Sequence, residues 1–206
     1  MIEVEAKFLL TPESKEQLLD QAKPAGQKEF IVEFWDNDQW KLGLQNLALK
    51  KKNGKFELKA PTTTNTDGSS YTTIMHELTT DKDIYERLGV KPESSLEEDL
   101  KAHGYFPRAS IHTLRTTYHK EGFIIDLDAA SFPLLKDGRT YHYEIAEIEL
   151  QVTSPEETQA AHEKIGTFAK RFGLTLANTR GKHMEFIYQN YPEHYQNLVK
   201  AGIMDK

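Results

Sequence analysis

An α+β protein built on an antiparallel sheet is what this sequence predicts. Period-two alternation of apolar and polar residues recurs in several segments, and two pairs of them are joined by glycine-containing dipeptides. Helix start signals punctuate the intervening stretches. Turns that tight join antiparallel neighbours, whereas a parallel pair needs a crossover of about a dozen residues or more.

The elements follow in chain order. Strands are expected at 2–9, 46–60, 71–78, 110–128 and 141–152, with a less regular one at 28–35. Asn53-Gly54 supplies the positive φ angles of a two-residue turn, which sets 52 opposite 55, 50 opposite 57 and 48 opposite 59. Glu121-Gly122 reverses the chain between 111–119 and 123–128. Thr11-Pro12 caps and opens a helix over 12–22, and Asp81 begins another that stops before Gly89. Ser94 with Glu97 reads as a capping box for a short helix ending near Gly104. Ser154-Pro155 with Glu157 opens the longest helix, whose Ala161, Ile165, Phe168 and Phe172 recur at helical spacing before Gly173. A last helical stretch begins near Lys182, is interrupted at Pro192 and resumes toward Val199. Residues 61–70 read as a surface loop, and no repeat or linker divides the chain, so 1–206 is expected to form a single domain.

Composition narrows the function classes. With 206 residues, 38% hydrophobic and 28% charged, the chain can bury a core and is neither disordered nor fibrous. No apolar run approaches the roughly 20 residues that span a bilayer, and nothing in the opening MIEVEAKF resembles a signal peptide, so none is expected. Absence of cysteine removes disulfides, thiol nucleophiles and thiolate-bound zinc. A formal charge of −6 argues against coating nucleic acid. A cytoplasmic monomer is expected, with no membrane or stable nucleic-acid partner.

The polar faces of the strands carry a coherent chemistry. Glu3, Glu5 and Lys7 share one face of the first strand, opposite Ile2, Val4, Ala6 and Phe8. The Asn53-Gly54 register gathers Lys50, Lys52, Lys55, Glu57 and Lys59 on one side. Later strands add Thr113, Arg115 and Thr117, then Asp126 with Asp128, then Glu147 with Glu149. Cations and clustered carboxylates together suit a polyanion bound with a hard divalent ion, because lysine and arginine neutralise phosphate oxygens while carboxylates hold Mg²⁺ or Mn²⁺. Two solvated faces laced with ion pairs worth about 0–1 kcal/mol each would give the same alternation.

Rival chemistries find less support. The chain has no dinucleotide-binding GxGxxG, no P-loop, no HExxH and no GxSxG elbow. His112, His119 and His142 read as strand residues rather than ligands. The basic run Lys50-Lys51-Lys52 with Phe56 could meet RNA, but it stands alone in an acidic chain.

The opening Glu3-Val4-Glu5-Ala6-Lys7 resembles the ExExK signature of the CYTH superfamily, the triphosphate tunnel metalloenzymes. Phe56-Glu57-Leu58-Lys59, His76-Glu77-Leu78, Leu114-Arg115, Ile125-Asp126-Leu127-Asp128, Glu144 through Glu149 and Arg180-Gly181-Lys182 follow in the family's order. The tail from Lys182 through Tyr195 is most similar to the thiamine triphosphatase branch. The resemblance implies an eight-stranded antiparallel closed β-barrel, a tunnel with helices packed outside and charged faces inside. It implies hydrolysis of the terminal phosphoanhydride of a triphosphate with Mg²⁺, or Mn²⁺ in its place, and thiamine triphosphate as the first candidate substrate. Inorganic tripolyphosphate, a nucleoside triphosphate, or binding without turnover are the alternatives.

Carried over by position, Glu3, Glu5, Asp126, Glu147 and Glu149 would hold metal, and Glu5, Glu147 and Glu149 would form the catalytic environment. Lys7, Lys50, Lys52, Lys59, Arg115 and Lys182 would bind the phosphates. Glu77 corresponds to a lumen carboxylate, and Asp128 either faces the site or supports it. Trp35, Trp40 or the C-terminal helix could wall an organic ring. The chain departs from the family at two places: Lys50 and Lys52 stand at the Arg-x-Arg positions, and Phe34-Trp35-Asp36 replaces Tyr-Tyr-Asp. Lysine keeps the charge of arginine but lacks its bidentate fork.

Overall fold

The computed structural model describes residues 2–61, 75–175 and 179–204. Its strands are β1 (Ile2–Phe8), β2 (Lys23–Asp36), β3 (Ala48–Lys52), β4 (Lys55–Pro61), β5 (Met75–Leu78), β6 (Phe106–Lys120), β7 (Phe123–Pro133) and β8 (Thr140–Val152). Its helices are α1 (Pro12–Leu19), α2 (Asp81–Leu88), α3 (Leu96–Ala102), α4 (Thr158–Lys170), α5 (Lys182–Asn190) and α6 (Pro192–Lys200), with 3-10 turns at Gly43–Gln45 and Pro155–Glu157. The expected loop lies outside the described residues apart from Pro61, as do 71–74 of the strand expected before Leu78.

Both hairpins form with the expected register. Asn53 and Gly54 take φ of 52° and 77°, and Lys52, Lys50 and Ala48 face Lys55, Glu57 and Lys59. Glu121 and Gly122 take 53° and 86°, and Lys120 faces Phe123. Positive φ at both central positions twists a two-residue turn to match its strands, and glycine adopts it without steric cost.

Several boundaries differ from expectation, among them β6, which begins at Phe106, and β7, which runs on to Pro133. Strand β2 begins at Lys23, well before the expected position, because pairing with its neighbour overrides Pro24 and Gly26. Helix α1 stops at Leu19, where Asp20 leaves helical geometry. The capping box of α3 sits one residue later than expected: Ser95 Oγ accepts from the Glu98 amide, and the Glu98 carboxylate accepts from the Ser95 amide.

The sheet order is β1-β8-β7-β6-β2-β3-β4-β5. This corrects the closed barrel: the sheet is open, with β1 and β5 as its two ends and no ladder between them among the described residues. Alternation and tight turns specify local pairs, and no residue pattern in the chain specified that last ladder. Charges at Glu3, Glu5 and Lys7 suit β1 to an end position, where they discourage pairing with another chain.

The chain is organised as two compact units, Met1–Phe30 with His112–Glu185 and Ile31–Ile111 with Phe186–Lys206. In the first, the apolar faces of β1, β7 and β8 pack on α4, burying Val4, Phe8, Ile125, Ile148, Ile165 and Phe168. Each such side chain contributes about 1.5–3 kcal/mol on burial, and the helical spacing of Ala161, Ile165, Phe168 and Phe172 is what brings them to one face. In the second, Trp35, Leu49, Phe56 and Leu58 meet Ile84 of α2 and Leu96 and Leu100 of α3. Buried Asp99 joins these two helices, accepting from Tyr85 Oη at 2.6 Å and from the Glu93 amide at 3.0 Å. With the apolar faces turned to helices, the opposite faces carry the charges.

Candidate functional site

The first unit gathers most of the expected site residues on one sheet face. Antiparallel register places Glu5 opposite Glu149 and Lys7 opposite Glu147 on β1 and β8. Asp126 lies opposite Glu147, and Arg115 opposite Asp128. Directly opposed residues share a face, so the cluster follows from strand pairing alone.

Arg115 is its hub. The Nε and Nη2 of Arg115 donate to the two oxygens of Asp128 at 2.6 and 2.7 Å, a bidentate pairing. It also donates to Asp126 and Glu147. Lys182, at the start of α5, pairs with Asp128 and donates to Glu147 Oε1 at 3.1 Å. Lys7 pairs with Glu5 and lies 3.9 Å from Glu147. Asp128 is 2% exposed and outside both candidate metal groups, so it anchors Arg115 and Lys182.

Two carboxylate groups have oxygens within 4.8 Å of one another: Glu3, Glu5 and Glu149, and Asp126, Glu147 and Glu149. Glu149 belongs to both. Its carboxyl is pushed up to about 8, by burial first and then by the charges of Glu3, Asp126, Glu5 and Glu147. Glu147 moves the other way: burial alone would raise it, but Lys7, Lys182 and Arg115 hold it well below the usual carboxylate range. Adjacent carboxylates are thus driven apart in protonation.

The donor set fits a hard divalent ion. Carboxylate oxygens are the ligands Mg²⁺ and Mn²⁺ prefer. Burial, and then the clustered negative charge of Glu3, Asp126, Glu5 and Glu147, raises the Glu149 carboxyl, with Arg115 Nη1 4.0 Å from it. A divalent ion is what would neutralise that clustered charge.

The second unit holds the remaining cations. Lys50 Nζ lies 2.8 Å from Glu57 and 3.1 Å from Glu77, and Lys59 Nζ is 3.1 Å from Glu77. Burial would lower the Lys50 ammonium, but Glu57 and Glu77 raise it above its ordinary value and keep it charged. Glu77 is pulled down by Lys59 and Lys50 despite its own burial. Lys52 shares the parity of Lys50 on β3 and lies opposite Lys55.

Two contributors were not given roles from sequence. Thr117 Oγ1 donates to Asp126 at 2.5 Å, and Glu57 holds Lys50. The hairpin register already put Glu57 opposite Lys50, so that pair was legible; Thr117 needed the β6–β7 pairing. The indoles proposed as a ring wall are occupied by packing. Trp35 is 3% exposed with its ring edge-on to Phe56, and Trp40 stacks on His194 with centroids 4.5 Å apart.

Comparison with known proteins gives a family and a fold. The CYTH domain family model matches residues 1–180. Among solved structures, PH1819 of Pyrococcus horikoshii OT3 aligns with a TM-score of 0.55 and 18% identity, covering 87% of this chain and 94% of its own. PH1012 of the same organism gives 0.55 and 18%, covering 92% and 99%. HpAC1 of Hippeastrum, described as having a dominant triphosphatase activity, gives 0.51 and 18%, covering 91% and 95%. No curated protein matches the chain. Among the described residues, no helix is long and apolar enough to cross a membrane.

Proposed function

The chain belongs to the CYTH domain family, and from that premise we propose that it hydrolyses the terminal phosphoanhydride of a triphosphate with a divalent metal ion. The observation that carries the reading is the shared position of Glu149 in two carboxylate groups beside Lys7, Arg115 and Lys182. Glu3, Glu5, Asp126, Glu147 and Glu149 would hold Mg²⁺, with Mn²⁺ as a substitute. When bound, the ion neutralises charge that accumulates on the transferring phosphoryl group.

The chain's own residues do the rest. Arg115 and Lys182 stay anchored on Asp128 and, with Lys7, would turn their remaining N–H donors to phosphate oxygens in place of Asp126, Glu147 and Glu5, which would hold the metal. Lys50, Lys52 and Lys59 are proposed as further phosphate-binding cations, carried by the second unit. Glu5, Glu147 and Glu149 form the polar wall that orients a water for in-line attack, and a carboxylate there receives its proton.

The substrate is read here by its phosphates. Cations and carboxylates dominate the face, while the indoles of Trp35 and Trp40 are spent in packing. Thiamine triphosphate is the organic substrate to test first, on the likeness of the tail to that branch. HpAC1's described triphosphatase activity supports the reaction class rather than the substrate. Purified protein is assayed for phosphate release from thiamine triphosphate, tripolyphosphate, ATP and GTP, each with Mg²⁺, Mn²⁺ or EDTA. Metal-dependent release from at least one supports the reading; binding without release would reduce it to a triphosphate-binding protein.

A further inference from the structure

Thr113 is buried, 1% exposed, and its hydroxyl has no hydrogen-bond partner among the described residues. It lies on β6 two residues before Arg115 and four before Thr117, so alternation puts the three side chains on one face. Their cross-strand neighbours on β7 differ in a telling way. Arg115 faces Asp128 and Thr117 faces Asp126, and both find acceptors there. Thr113 faces Ala130, which offers none. In the next strand Ala130 faces Tyr143, whose hydroxyl already donates to the Arg180 carbonyl at 2.6 Å.

An unmet hydroxyl in a buried position is costly, and valine would fill the same space without that cost. A threonine is useful there only if something else accepts its proton. We infer that Thr113 Oγ donates a hydrogen bond to a phosphate oxygen of the bound triphosphate, beside the guanidinium of Arg115. The inference rests on the triphosphate reading above and extends it by one contact. A neutral hydroxyl suits the role, since it adds a donor without adding another positive charge to be neutralised by the neighbouring carboxylates.

The test compares wild type with Thr113→Val and Thr113→Ser. Thermal melting is followed without ligand, and tripolyphosphate binding is measured calorimetrically with Mg²⁺ present. Thr113→Val should melt at or above the wild-type temperature, because it removes an unmet polar group. Its affinity for tripolyphosphate should fall by about tenfold or more, the effect of losing a bond to a charged acceptor. Thr113→Ser keeps the donor and should stay within about threefold of wild type. Equal affinity in the Val variant overturns the inference while leaving the triphosphate reading intact. A clear drop in its melting temperature also overturns it, since that would reveal a structural partner for the hydroxyl. Failure of wild type itself to bind tripolyphosphate is a separate result, and overturns the reading beneath along with the inference.

Discussion

Glu149 concentrates the electrostatic problem of this molecule in one side chain. Its carboxyl is raised from 4.5 to about 8 by burial and by four carboxylates nearby. Over that interval the folded, metal-free chain holds a proton that the unfolded chain has released, so stability falls as pH rises through it. In EDTA the melting temperature should therefore decline between about pH 5 and pH 8, with that share of the decline abolished in Glu149→Gln. A flat wild-type profile, or an unaltered slope in the variant, would contradict the assignment. With metal present, Glu149→Gln and Glu5→Gln should each lower turnover about a hundredfold with folding intact, since each removes a charged ligand oxygen at nearly unchanged size.

Lys50 raises a different question at the same scale. Its ammonium is held by Glu57 and Glu77 and kept charged by them. If it also meets phosphate, Lys50→Met should weaken tripolyphosphate binding by about tenfold, most clearly at low salt. Lys50→Arg should retain binding or strengthen it, because the guanidinium donates two aligned bonds at the same charge. Unchanged affinity in the Met variant would remove this strand from the phosphate site.

At the scale of the element, the local signals were strong wherever a turn or cap has its own chemistry. Asn53-Gly54 and Glu121-Gly122 need positive φ, and the two registers followed from them. Pro192 breaks one helix and opens the next because it lacks an amide proton, so the α5–α6 boundary was legible too. Where the competition was between a neighbour's ladder and local propensity, the ladder won: Lys23–Gly26 extend β2 although proline and glycine disfavour it. The capping box of α3 moved by one residue because Ser94 and Ser95 are both competent caps and Glu97 and Glu98 both competent partners. Ser95→Ala should cost about 1 kcal/mol by denaturant unfolding, whereas a Ser94→Ala loss of equal size would return the cap to the position expected from sequence.

At the scale of the whole molecule, the candidate carboxylates and their partners in the first unit come from five separate segments: β1, β6, β7, β8 and the start of α5. Alternation marked the face of each strand, and the ordered family motifs told which faces belong together. What neither could give is the exchange of partners within the cluster, such as Asp128 gripping both Arg115 and Lys182, because side-chain pairing depends on where strands meet. Closure of the sheet was the expectation that failed, and it rested on resemblance without a residue pattern for a β1–β5 ladder.

Metal-dependent phosphate release by the purified chain is the most direct measurement of the central claim. Phosphate should appear from thiamine triphosphate or tripolyphosphate with Mg²⁺ or Mn²⁺, stop on addition of EDTA, and fall to near background in Glu149→Gln. Release that persists in EDTA, or that is unchanged in folded Glu149→Gln at limiting metal, would contradict a metal-dependent triphosphatase built on these carboxylates.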